Sequence, residues 1–179
     1  MERTLLKDLQ SHGGKEVLIK ACVSVRRDQG KMVFFDFRDR SGSVQGVVLP
    51  KSEAINTAKE VRPEYVVEAT GIVNKRPEKN VNAEVQNGDI ELEVKTLTIL
   101  SKADIPFELE ADLNIDTRFD YRPFTLRSKR DKAIFAVQAT IVDAFRASLR
   151  AQEFVDFQAP ALVGGDAEGG AAVFEVPDY

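Results

Sequence analysis

Residues 32–48, read as MVFFDFRDRSGSVQGVV, place one aromatic ring and one amide where they could perform chemistry together. Both flanks of the central turn alternate in side-chain character, which is typical of two antiparallel strands. If the turn pairs Arg38 with Ser43, then Phe34 and Gln45 become diagonal neighbours about 7–8 Å apart on one face. A ring that can stack, beside an amide that both donates and accepts hydrogen bonds, suits an unstacked nucleobase.

The opposite face of these two strands is predicted to belong to a hydrophobic core. Side chains in a strand alternate between its two faces, so every second residue shares an environment. The residues on the predicted core face are Val33, Phe35, Phe37, Val44, Gly46 and Val48. Phe34 is therefore a ring on the more polar face, and its other interpretation is an edge phenylalanine covered by a neighbouring loop.

Basic residues surround this segment although the whole chain is acidic. The net charge is −4, but residues 1–100 carry 16 basic and 15 acidic side chains, whereas residues 101–179 carry 9 and 14. The basic residues between positions 26 and 40 are Arg26, Arg27, Lys31, Arg38 and Arg40. Such a local rim can hold a few phosphates, although mixed charge at strand ends is often only solvated.

Five alternating segments predict the strands that position this face. The segments are residues 16–25, 32–38, 43–48, 65–75 and 89–100. Gly71 is expected at a β-bulge or a corner of the barrel, and Thr96 at a β-bulge. Residues 51–61 predict a helix with Ser52 as its N-cap. This order is that of the OB-fold, a Greek-key barrel whose second and third strands form the ligand-binding face. Another small barrel or an open sheet is the alternative.

Beyond the barrel, the sequence predicts a linker and one long amphipathic helix. Residues 103–122 lack sustained periodicity and form the linker. Ser128 and Asp131 predict a capping box, and the helix runs to about Gln152. Its apolar positions are Ile134, Val137, Ile141, Phe145 and Leu149. Core packing accounts for most of this stripe in the simplest interpretation.

The last residues predict a strand and a loop. Residues 154–157 are expected to form a strand that runs into Pro160, and the glycine-rich residues 164–170 predict an irregular loop. The chain ends directly after an apolar stretch, which we interpret as a fragment boundary.

Length and composition exclude several classes of protein. The 179 residues suit one domain or two small ones. No apolar run approaches 18 residues, and the N-terminus lacks the apolar core of a signal peptide. The single cysteine, Cys22, lies in an apolar strand and is expected to be buried. A cytoplasmic protein without a membrane partner is therefore expected.

Four blocks of the sequence, in this order, resemble one protein family. They are residues 25–48, 76–94, 116–128 and 154–176. The chain is similar to the N-terminal part of class II aminoacyl-tRNA synthetases of the aspartyl, asparaginyl and lysyl subgroup, and most similar to the aspartyl enzymes. The resemblance implies a mainly β OB-fold anticodon-binding domain at 1–102, a linker at 103–122, and the start of an α+β catalytic domain at 123–179.

The resemblance also implies roles for residues of the barrel. Phe34 stacks on the middle anticodon base, a uridine, and Gln45 hydrogen-bonds its edge. Arg27 contacts the anticodon stem-loop, and Asn82 and Glu91 lie near the outer anticodon bases. A carboxylate at Glu91 could accept from a guanine or cytosine amino group, but it could equally be an ordinary solvent-facing residue. The implied partner is the anticodon stem-loop of tRNA(Asp), and not DNA.

For the second domain, the resemblance implies a homodimer and part of a substrate site. The segment ending at Pro160 matches the motif that builds the dimer interface, and Glu168 would hold the α-ammonium of the amino-acid substrate. Full-length enzymes of this family use ATP and Mg²⁺ to attach aspartate to tRNA. The later motifs for that work are not present, so we expect no catalytic residue, no bound ATP or Mg²⁺, and no aspartate activation by this chain.

Three alternatives remain open from the sequence. An asparaginyl enzyme, or an aspartyl enzyme of relaxed specificity, shares the Phe34 and Gln45 pair. A stand-alone OB-fold protein that binds single-stranded nucleic acid would show little sequence preference. A dimerisation module would use the barrel only as structure, and its Phe34 would have no role in binding.

Overall fold

The computed structural model of the protein describes residues 1–105, 107–108 and 111–158. The chain divides into two compact units, Met1–Glu108 and Leu109–Tyr179. The boundary between the two units falls within the predicted linker at 103–122. The domain limits 1–102 and 123–179 stay a prediction. None of the described helices is long and apolar enough to cross a membrane.

The first unit is a closed five-stranded barrel. Its strands are β1 (Glu16–Gln29), β2 (Met32–Asp39), β3 (Gly42–Val48), β4 (Val66–Lys75) and β5 (Ile90–Ser101). Their order around the barrel is β1-β2-β3-β5-β4, with β3 and β5 parallel and every other pair antiparallel. One helix, α1 (Ile55–Glu60), connects β3 to β4. The predicted OB-fold order is confirmed.

Alternating apolar residues fill the barrel, as period-two patterning requires. All six residues of the predicted core face on β2 and β3 are buried, and the rings of Phe35 and Phe37 lie 5.4 Å apart. A 3₁₀ helix at Leu6–His12 adds two fully buried side chains, Leu6 and Leu9, to the same core. The sequence pattern did not reveal this contribution from the segment before β1.

The expected bulge between β4 and β5 is present. Thr70 pairs with Thr96 and Gly71 pairs with Val94, so Lys95 is an extra residue on β5. A Cβ atom at Gly71 would lie 2.5 Å from the carbonyl oxygen of Glu93. Only glycine therefore fits where the two backbones approach this closely.

The turn between β2 and β3 is organised by one buried carboxylate. The side chain of Asp39 accepts from the backbone N–H of Leu6 (3.1 Å), Ser41 (2.7 Å) and Gly42 (3.2 Å), and from the Ser41 hydroxyl (2.6 Å). Burial alone raises the pKa of Asp39, but the hydrogen bonds from Ser41, Leu6 and Gly42 together hold that pKa below its ordinary value.

Three local predictions for the first unit were wrong. β1 continues to Gln29 because its ladder with β2 extends through residues predicted as a connector. α1 begins at Ile55 rather than near Ser52, because the Ser52 hydroxyl accepts from Ala54 N–H within a turn and donates to the Val94 carbonyl. Cys22 is only half-buried, since its neighbours on β1 occupy the core face.

The second unit contains three described helices, α2 (Ile115–Asp120), α3 (Arg122–Thr125) and α4 (Lys129–Arg150). Helix α2 lies where the sequence predicted only linker. Its N-cap is Asn114, whose side chain accepts from the Thr117 N–H.

Helix α4 has the predicted N-cap, but its capping box is only half formed. The Ser128 hydroxyl accepts from the Asp131 N–H at 3.2 Å. The Asp131 carboxylate instead accepts from Arg118 Nη1 at 3.0 Å. Because Asp131 is almost fully buried, pairing with a guanidinium offsets part of the cost of burying its charge.

The strand predicted at 154–157 is absent: residues 154–158 have no regular secondary structure. They have no partner strand among the described residues. A strand needs such a partner for its backbone hydrogen bonds. The predictions for Pro160, Glu168 and the glycine-rich loop at 164–170 lie outside the described residues.

Candidate nucleic-acid interface

Phe34 and Gln45 lie on the outer face of the barrel in the predicted arrangement. Phe34 pairs with Val47 and Asp36 pairs with Gln45, which is the register that the sequence predicted. Phe34 and Gln45 are thus diagonal neighbours on one face, and both are half-buried. The ring keeps part of its surface available for stacking.

Strand pairing places four of the five residues predicted to bind the anticodon in two adjacent rows across the barrel, and the fifth, Asn82, lies in a loop. One row contains Arg27, Phe34, Val47 and Glu93, and the next contains Val25, Asp36, Gln45, Glu91 and Asn74. Four of the predicted site residues, on four different strands, therefore meet through the parallel pairing of β3 with β5 and the antiparallel pairings of β2 with β3 and of β1 with β2. The sequence alone does not contain the first of these pairings.

The amide of Gln45 is held by two charged residues. Its Oε1 accepts from Arg76 Nη2 at 2.8 Å, and its Nε2 donates to Glu91 Oε2 at 3.3 Å. Arg76 also lies 3.9 Å from Glu91 in an ion pair. These contacts fix which end of the amide carries the oxygen. One lone pair of Oε1 and one hydrogen of Nε2 remain for a ligand.

Arg76 is the site residue that the sequence analysis missed. It follows the last residue of β4, and its backbone N–H donates to the Asp89 carbonyl at 2.8 Å. Its guanidinium also donates to the Gly88 carbonyl at 3.3 Å. Its place at the start of the matched block 76–94 was a signal, but its contact with Gln45 depends on closure of the barrel.

Arg27 lies directly opposite Phe34 on the neighbouring strand and is half-exposed. Its Nη2 donates to Asp36 Oδ1 at 2.8 Å. An arginine has five N–H donors in a planar fork, so most of them remain available. The side chain can therefore contact a phosphate or a base edge beside the ring.

Asn82 lies in the loop that joins β4 to β5, where it also has a structural role. Its Oδ1 accepts from the Glu84 N–H at 3.0 Å, and its backbone N–H donates to Gly88. The loop is tied to the barrel by Asn87, whose buried amide donates to the carbonyls of Leu6 (2.8 Å) and Ser43 (2.9 Å). The exposed amide nitrogen of Asn82 is left for a ligand.

A groove of about 370 Å³ lies between this loop and the outer face of the barrel. Four residues already described line it: Arg27, Gln45, Arg76 and Asn82. Phe34 and Glu91 adjoin them through strand pairing. The described residues contain no group of three or more His, Cys, Asp and Glu side chains that could hold a metal ion. The arrangement offers stacking, amide hydrogen bonds and arginine, which together suit single-stranded nucleic acid.

Each of the two units matches a model of a known protein family. A family model described as an OB-fold nucleic acid binding domain matches residues 17–100. A second, described as tRNA synthetases class II (D, K and N), matches residues 114–179.

Curated relatives carry names of the same group. The chain is 38% identical over 161 residues to a protein of Shouchella clausii named aspartate--tRNA ligase. It is 37% identical over 161 residues to a protein of Halothermothrix orenii named aspartate--tRNA(Asp/Asn) ligase. Each alignment covers 87% of this chain but 27% of the relative. The chain thus spans little more than a quarter of their length.

Solved structures of similar fold include synthetases for two amino acids. A putative aspartyl-tRNA synthetase of Leishmania major has a TM-score of 0.80 at 27% identity, covering 93% of this chain and 36% of that one. The asparaginyl-tRNA synthetase of Pyrococcus horikoshii, complexed with asparaginyl-adenylate, has a TM-score of 0.80 at 26% identity, covering 100% and 41%.

Proposed function

We propose that this chain, which belongs to the class II aminoacyl-tRNA synthetases of the aspartate, lysine and asparagine group, binds a tRNA anticodon through its outer barrel face. The observation that carries this proposal is the diagonal placement of Phe34 and Gln45. The Gln45 amide is held in one orientation by Arg76 and Glu91, so it is already arranged for a ligand.

The chemistry of this face suits a uracil as the middle anticodon base. The Phe34 ring stacks on the base, which contributes roughly 1–3 kcal/mol. The free lone pair and free hydrogen of the Gln45 amide match the N3–H donor and an adjacent carbonyl acceptor of uracil. Arg27 supplies a charge-assisted hydrogen bond to the RNA. Asn82 and Glu91 adjoin the outer bases in this proposal, and the partner is the anticodon stem-loop of tRNA(Asp).

For the full-length protein, we propose that it attaches aspartate to tRNA with ATP and Mg²⁺ and works as a homodimer in the cytoplasm. Pro160 would belong to its dimer interface, and Glu168 would bind the amino-acid substrate. In this proposal, the residues that bind ATP and Mg²⁺ belong to the later motifs of the full-length enzyme.

The choice between an enzyme specific for tRNA(Asp) and an enzyme of relaxed tRNA specificity depends on how the chain recognises the third anticodon base. Relatives named aspartate--tRNA ligase and aspartate--tRNA(Asp/Asn) ligase are almost equally similar to this chain. Binding of two stem-loops that differ only by cytosine or uracil at that base separates the two. A strong preference for cytosine supports tRNA(Asp) alone, and equal binding supports relaxed specificity.

The decisive experiment measures stem-loop affinity after Phe34→Ala. Loss of stacking is expected to weaken binding about 5- to 150-fold with the fold intact. Phe119→Ala is the matched control, because Phe119 is an exposed aromatic residue of the second unit, and it should leave affinity unchanged.

Equal binding by Phe34→Ala and wild type would favour the dimerisation module with a structural barrel. Equal binding of unrelated RNA sequences by the wild type would instead favour the stand-alone single-strand binder.

A further inference from the structure

An acidic side chain lies in the middle of the face that is proposed to bind RNA. Asp36 is on β2, two residues from Phe34 on the same side of the strand, and it pairs directly with Gln45. Its side chain is 35% exposed. A carboxylate here repels phosphates, so its position calls for a compensating role.

Among the described residues, the partner of this carboxylate is Arg27. Arg27 Nη2 donates to Asp36 Oδ1 at 2.8 Å, and the Arg27 side chain is 47% exposed. Within the same part of the chain, Asp36 is in turn the one hydrogen-bonding partner of the Arg27 guanidinium. Arg27 pairs with Phe34 across the strands. The hydrogen bond therefore joins Arg27, which lies in the row of Phe34, to Asp36, which lies in the row of Gln45.

We propose that Asp36 is a positioning residue, which holds the Arg27 guanidinium beside Phe34 before RNA arrives. A half-exposed arginine otherwise samples many rotamers, and ordering it during binding costs affinity. Asp36 uses one donor of the planar fork and leaves the other donors available for RNA. The inference rests on the proposed function, since it assigns Asp36 a task in the same site.

Two simpler roles for Asp36 make different predictions. If Asp36 only repels phosphate, removing its charge should strengthen binding to every RNA, most strongly at low salt. If Asp36 contacts a base directly, its loss should weaken binding whether or not Arg27 is present. Positioning predicts a loss that depends on Arg27.

The test is a double-mutant cycle on stem-loop affinity with Asp36→Ala, Arg27→Ala and the double variant. Measurement at about 0.3 M salt screens repulsion between exposed charges. Asp36→Ala is expected to weaken binding about three- to tenfold in the wild-type background. In the Arg27→Ala background it should have no effect. Asp36→Asn keeps an acceptor for Arg27 and should restore part of the loss.

A matched cycle uses Lys20→Ala and Glu68→Ala. These residues form a comparable ion pair between β1 and β4, at 3.0 Å and with 45% and 32% exposure, away from β2 and β3. This cycle should leave affinity unchanged. Melting temperatures of all variants show that the fold is retained.

Several outcomes overturn the inference. Equal losses from Asp36→Ala in both backgrounds assign Asp36 an independent contact, and tighter binding by Asp36→Ala at this salt assigns it repulsion only. Phe34→Ala, measured alongside, separates the two proposals. If Phe34→Ala weakens stem-loop binding but the effects of Asp36→Ala and Arg27→Ala are additive, only the positioning role is rejected. If Phe34→Ala leaves stem-loop affinity unchanged, the binding face itself is rejected.

Discussion

At the residue scale, charge-assisted hydrogen bonds determine where the polar groups of the outer barrel face point. Arg76 and Glu91 orient the Gln45 amide, and Asp36 holds Arg27. Alternation along β2 and β3 predicted which face carries Phe34 and Gln45, because side-chain direction is a local property of a strand. Alternation did not predict the role of Arg76, because its partner Gln45 lies 31 residues away in the chain.

The carboxylate of Asp39 makes the stability of the fold depend on pH in the acidic range. Its pKa is below the ordinary value in the folded state, so its ionised form stabilises the fold. That contribution is complete above the unfolded pKa, near 3.8, and is lost as pH falls through the lower folded pKa. Asp39→Asn should lower the free energy of unfolding by roughly 1–3 kcal/mol at neutral pH.

Urea unfolding across pH checks this prediction. Below pH 3.8, the difference between wild type and Asp39→Asn should shrink. A difference that stays constant to the lowest accessible pH would show that the Asp39 charge does not matter.

At the element scale, the hairpin of β2 and β3 and the bulge of β5 could both be predicted. The turn residues determine the hairpin register, and the change of parity at Thr96 revealed the bulge. The lengths of β1 and α1 could not be predicted, because both depend on contacts with other elements. The β1 ladder continues against β2, and Ser52 is bonded to the Val94 carbonyl of β5.

Gly71→Ala tests the close approach of β4 and β5. Its new Cβ would lie 2.5 Å from the backbone oxygen of Glu93, and a backbone carbonyl in a closed barrel cannot easily move. The free energy of unfolding should fall by roughly 1–3 kcal/mol. Gly13→Ala is the control, since a Cβ atom at Gly13 would meet nothing within 4 Å. Equal stability of both variants in urea would contradict the proposed steric limit.

At the scale of the whole molecule, the long helix of the second unit leaves its apolar stripe exposed. Ile134, Val137, Ile141 and Phe145 are each more than half exposed. The sequence pattern favoured core packing for most of this stripe, whereas these side chains are exposed in the described part of the chain. An apolar face of this size on one helix supports the proposed dimer interface.

Ile141→Glu combined with Phe145→Glu tests that interface. The wild-type chain is expected to sediment as a dimer, and the variant as a monomer with unchanged helix content, because two charges cannot be buried without partners. Ala147→Glu adds a charge on the opposite side of the helix and should leave the dimer intact. A variant that still dimerises, or a wild type that is monomeric, would place the contact elsewhere.

The sequence by itself determined the faces of the strands and the hairpin register, because alternation and turn chemistry act between near neighbours in the chain. The family was indicated by the resemblance of four sequence blocks. The tertiary structure decided which groups surround Gln45. Parallel pairing of β3 with β5 brings Glu91 to Gln45, and closure of the barrel brings Arg76 there from the end of β4. Pairings over such separations depend on the packing of all five strands, so no local pattern specifies them.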